Sequence, residues 1–98
     1  MEYRLAHRDK RFESLKANPR AVSFEELAAT LKAFGFEVKN YSGGSHFSVS
    51  HPLHPVIDSM EPNSIPRRKP PVLPVYARRA IRWIERVREL EEGVQNGL

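Results

Sequence analysis

The chain has 98 residues, no cysteine and a formal net charge of +4, which excludes a second sizeable core, a disulfide framework and any thiolate metal centre. No window approaches the ~20 apolar residues that cross a bilayer, and the opening MEYRLAHRDKRF carries scattered charge where a signal peptide would be apolar. The expectation is one soluble domain, with a cytoplasmic location as the default for a thiol-free chain.

Residues 1–20 have a weak helical rhythm in Leu5, Phe12 and Leu15 that stops at Asn18-Pro19, because proline pushes the residue before it out of the α region. They predict a loosely packed helical extension. In VSFEELAATLKAFGF, Ser23 and Glu26 form a reciprocal capping box, with Val22 and Leu27 at the staple positions. Phe24, Leu27, Ala28, Leu31 and Phe34 then recur at helical spacing, and Gly35 supplies the left-handed stop.

The period next changes to two. Phe36 and Val38 alternate with Glu37 and Lys39, Ser42-Gly43-Gly44 offers a tight turn, and Phe47 and Val49 resume the alternation, so two antiparallel strands are expected. Residues 51–63 contain three prolines and read as a long loop. SIPRRK, residues 64–69, suits a third strand that Pro66 confines to an edge. After Pro70-Pro71, Pro74 opens a helix whose Ala77, Ala80, Ile81, Ile84 and Val87 share one face, with Arg78, Arg82 and Arg86 on the other side. The expected class is α+β, in the order helix-strand-strand-strand-helix after an N-terminal helical arm. Helices with single apolar stripes cover one face of a three-stranded antiparallel sheet and leave the other wet.

Charge is distributed unevenly. Between residues 66 and 88 stand seven arginines and Lys69 against Glu85 alone, a concentration that suits a polyanion such as RNA. A basic helix face merely solvated by water is the plainer alternative.

His46 follows two glycines and a serine at the start of the second strand. Since Phe47 and Val49 must face the core, His46, Ser48 and Ser50 point away from it. The imidazole is then an exposed polar residue, a metal ligand or a catalyst. His46, His51, His54 and Asp58 have no recognised metal spacing, so no metal and no cofactor are expected. His7 and His54 have no assigned role.

Catalysis gains from the surroundings. Gly43 and Gly44 lack Cβ atoms and allow a phosphodiester close to the main chain, Gly44 and Ser45 shape the backbone pocket, and Arg67, Arg68 and Lys69 on the neighbouring strand bring cations to hold phosphate. An imidazole, titrating near neutral pH, can take the proton of a ribose 2′-hydroxyl, which then attacks the adjacent phosphorus. The products are a 2′,3′-cyclic phosphate and a 5′-hydroxyl. No metal is required, and DNA resists for lack of the attacking group.

A capped helix ending in Gly35-Phe36, a strand, the step Gly44-Ser45-His46, the later Ile65-Pro66-Arg67 with its basic continuation and a closing helix together resemble the HicA family of bacterial toxins. The resemblance spans residues 21–92, leaving 1–20 as the extension and 93–98 as a tail. It implies a fold like that of double-stranded-RNA-binding domains and an mRNA interferase of a type II toxin-antitoxin system, neutralised by a HicB-type antitoxin. It also implies His46 as the catalytic residue. Many relatives carry a second histidine where this chain has Arg68, which binds phosphate but does not shuttle protons near pH 7. Two other readings stay open. One is a non-catalytic RNA-binding module; the other is a protein-complex component in which Trp83 and Tyr76 anchor an acidic partner, with core burial the favoured reading for Trp83.

Overall fold

The computed structural model describes residues 2–40, 43–52 and 63–95. Their elements are α1 (Glu2–Ala17), α2 (Phe24–Ala33), β1 (Glu37–Lys39), β2 (His46–Ser50), β3 (Ser64–Pro66) and α3 (Pro74–Gln95). This is a small α+β fold of three helices and an open antiparallel sheet in the order β1-β2-β3.

Local chemistry sets the boundaries. Ser23 Oγ accepts the Glu26 amide at 3.1 Å, while the Glu26 carboxylate accepts the Ser23 amide at 3.1 Å, so α2 starts with both halves of the capping box. The Ser23 backbone amide, and after it the Ser23 side chain, hold the Glu26 carboxyl below its ordinary range by favouring its charged form. At the other end Gly35 has φ +90°, a conformation that other residues reach only with strain, and it turns the chain into β1. Strand pairing then follows the alternation. Val38 faces Val49 and Phe47 faces Ile65, which puts all four side chains on the side covered by helices.

The expected third strand is shorter than residues 64–69. Pairing ends at Pro66, although the Arg67 amide still donates to the Ser45 carbonyl at 2.6 Å and carries the ladder one residue further. The Val72 amide donates to the Val22 carbonyl at 2.8 Å, tying the link before α3 to the entrance of α2. α3 continues through Gln95. The loop expected over residues 51–63 falls mostly outside the described residues.

The N-terminal helix corrects the expectation of loose packing. Phe12 and Leu15 are 1 % and 3 % exposed and belong to the same apolar cluster as Leu27, Leu31, Ile65, Trp83 and Ile84. Phe12 meets Phe34 edge-on at 5.7 Å between ring centroids, and Arg8 lies 4.5 Å from the centroid of the Phe34 ring. Ion pairs from Arg8 to Glu91 at 3.2 Å and from Arg88 to Asp9 at 4.0 Å join α1 to α3. The core is therefore shared by all three helices and one sheet face. Trp83 is wholly buried, and its indole N–H reaches no acceptor among the described residues, so packing alone holds it and it cannot anchor a partner. No helix among the described residues is long and apolar enough to cross a membrane.

Candidate nucleic-acid interface

The sheet face away from the helices is built by register. His46 lies opposite Pro66, Ser48 lies between Lys39 and Ser64, and Ser50 lies opposite Glu37. Alternation places all of these on one side of the sheet. His46 is exposed and makes no hydrogen bond or ion pair among the described residues. Among the described residues nothing consumes its two ring nitrogens.

The turn that presents His46 is pinned from β1. Asn40 Oδ1 accepts the Gly43 amide at 2.7 Å, and Asn40 Nδ2 donates to the Gly44 carbonyl. Gly43 takes φ +79° with nothing within 4 Å of the position a Cβ would occupy, so it is needed for backbone conformation and not for room. Gly44 and Ser45 are exposed, and the Ser45 carbonyl is occupied by the Arg67 amide. Asn40 was absent from the sequence reading. Its signal was available: an asparagine three residues ahead of a glycine pair is a recurrent way of closing a turn through its side chain.

The three cations divide. Arg67 turns toward the helices, where its guanidinium stands 3.1 Å from the Glu25 carboxylate and 5.9 Å from the centroid of the Phe24 ring, itself packed on Phe47. The Arg67–Ser45 bond keeps the chain next to the turn that carries His46 as it runs on into Arg68. Arg68 and Lys69 are exposed and carry no ion pair among the described residues. Lys39, two residues along the sheet from His46, is balanced by Glu37 at 3.2 Å. The Glu37 row lies four residues, or about 13 Å, from the His46 row, too far for that carboxylate to exchange a proton with the imidazole.

His51, one residue past β2, serves the fold instead. It is buried, it packs edge-on against Phe36 at 4.7 Å, and its Nε2 stands 2.8 Å from the Phe34 carbonyl, which requires that nitrogen to carry the proton. His46 and His51 therefore sit on opposite faces and do not share a metal. Among the described residues no group of three metal-ligating side chains converges, and His54 and Asp58 lie outside them.

A Cβ at Gly35 would stand 3.0 Å from His51 Nε2 at a positive φ. Gly35→Ala is expected to cost about 1–2 kcal/mol through backbone conformation alone, and urea denaturation should show the loss. Because His51 must shift, its imidazole resonances should move while those of His46 stay in place.

Family models, curated proteins and solved structures contain no match to this chain.

Proposed function

We propose that the chain is a metal-independent endoribonuclease of the HicA type, a toxin that cleaves mRNA in the cytoplasm and is neutralised by a HicB-type antitoxin. The observation that carries this reading is His46, exposed at a glycine turn on the sheet face away from the helices and without a hydrogen bond or ion pair among the described residues, with exposed Arg68 and Lys69 following its partner strand. The order α2-β1-β2-β3-α3 supports the double-stranded-RNA-binding-domain-like class, with α1 added to its helical layer.

In this mechanism the His46 imidazole takes the proton of a ribose 2′-hydroxyl. The 2′-oxygen forms a bond to the neighbouring phosphorus, and the bond from phosphorus to the 5′-oxygen of the next nucleotide breaks. That leaving oxygen takes its proton from water, since Arg68 cannot supply one. Arg68 and Lys69 stabilise the charge that grows on the phosphoryl oxygens. The exposed Gly44, without a Cβ, lets the phosphate come close to the main chain, and Ser45 shapes the pocket beside it. Arg67 joins them only when its contact with Glu25 opens.

The test is the chemistry of the new ends. Single-stranded RNA incubated with the protein in excess chelator is expected to yield 2′,3′-cyclic phosphates and 5′-hydroxyls, and the same sequence as DNA is expected to stay intact. Binding that leaves RNA whole after long incubation would instead support the non-catalytic RNA-binding module. Cleavage that chelator abolishes would overturn the metal-independent mechanism.

A further inference from the structure

Apart from Arg86, the exposed described positions of α3 are Val75, Arg78, Arg82, Glu85, Glu89 and Glu92. They succeed one another at steps of three, four, three, four and three residues. That spacing keeps side chains in one line along a helix and is the spacing of a helix-pairing seam. The opposite side of α3 is fixed in the core through Ala77, Ala80, Trp83, Ile84 and Val87, so the seam faces outward.

The seam is segregated by charge. Its first half is apolar and basic, its second half acidic. Arg78, Arg82, Glu85 and Glu92 take part in no ion pair among the described residues, and Glu89 meets only its neighbour Arg86 at 3.4 Å. We infer that this face is an antiparallel homodimer interface, in which α3 of a second copy of the chain lies along α3 of the first.

Symmetry makes the pattern fit itself. A two-fold axis at the Trp83-Ile84 step brings Arg78 opposite Glu89 of the second copy and Arg82 opposite Glu85, and the axis repeats both pairs. Val75 of each copy then arrives at Glu92 of the other. A parallel arrangement would set arginine on arginine and glutamate on glutamate. The long side chains of both types span the 8–10 Å between packed helix axes.

Apolar surface adds to the charge match. Leu73 and Val75, 43 % and 45 % exposed, are the exposed large hydrophobic side chains among the described residues. Beside the acidic half runs a groove of about 330 Å³ between α1 and α3, lined by Phe12, Lys16 and Arg88 together with the glutamates. The antiparallel register delivers Leu73 and Val75 of each copy to the Glu92 end of that groove. RNA fits this face poorly, because its phosphates would meet the acidic half. A uniformly acidic protein meets the same repulsion. The required partner has the reversed charge order, and this chain supplies it.

The contact lies on the helical layer and leaves the His46 face open, so it stands or falls apart from the ribonuclease reading. Sedimentation of the full chain at rising concentration is expected to show a monomer-dimer equilibrium. Arg78→Glu/Arg82→Glu and Glu85→Arg/Glu89→Arg should each sediment as folded monomers. Mixed in equal amounts they should form a heterodimer, because every reversed pair is restored. Register is read with single cysteines, the chain having none of its own. Arg82→Cys mixed with Glu85→Cys should crosslink well above Arg82→Cys mixed with Glu92→Cys, whose positions are offset by about 10 Å along the helix. A wild type that stays monomeric at millimolar concentration overturns the inference and leaves the face to another partner. So does a mixture that fails to pair, or crosslinking indifferent to register.

Discussion

Phe12→Ala is expected to cost about 3–5 kcal/mol of folding stability, the range for deleting a buried aromatic side chain. Its ring is 1 % exposed, meets Phe34 edge-on, and has Lys16 and Arg88 at 5.0 and 5.4 Å from its centroid. Truncation would remove the Phe12–Phe34 ring contact and also leave two cations over an empty site. A domain of this length has a total stability of roughly 5–15 kcal/mol. The loss is therefore a large share of the whole, and the melting midpoint should fall by at least about 12 °C. Urea denaturation and thermal melting measure it. A change of a few tenths of a kcal/mol would mean that residues 1–20 are an appendage after all, and that the shared core is not what stabilises the chain.

That helix also marks where the sequence could be read and where it could not. α2 was legible because three local signals agree there: the Ser23 and Glu26 box, the apolar stripe and Gly35. The strands were legible as existing, since Phe47, Val49 and Ile65 could only alternate inward, and the position of His46 on the open face followed directly. Local pattern did not carry the packing of α1. Its few apolar residues make a weak stripe, and what buries Phe12 and Leu15 is a core shared with residues distant in sequence, with Phe34 edge-on to Phe12 and the Arg88 guanidinium over its ring.

The same limit applied to Arg67. Composition counts it with Arg68 and Lys69 as one basic trio, whereas a carboxylate 42 residues earlier, Glu25, takes the first of them. The division matters for function, because the cations able to meet a phosphate beside His46 without breaking an existing pair are Arg68 and Lys69. Exposed ion pairs contribute little, so the Arg67 contact with Glu25 biases that side chain without locking it.

His46→Ala is expected to slow RNA cleavage by about 10² to 10⁴, the usual worth of a positioned acid or base. That factor corresponds to about 2.7–5.4 kcal/mol at the transition state. The side chain is exposed and bonded to nothing among the described residues, so folding stability should change by no more than about 0.5 kcal/mol. Rate and stability thus move independently, which a buried structural histidine such as His51 would not permit. The expected signature lies in kcat, with the affinity for uncleaved RNA nearly intact. Arg68→Ala should behave in the opposite sense, weakening RNA binding across sequences and lowering the salt slope of binding by about one unit. Single-turnover cleavage of a labelled RNA, paired with binding to the same RNA carrying a 2′-deoxy substitution at the cleaved position, separates the two effects. Should His46→Ala cleave at the wild-type rate while folded, the proton must leave the 2′-hydroxyl by another route. Among the described residues the strand register places no carboxylate or imidazole on that face nearer than Glu37, so that result would overturn the catalytic assignment of His46.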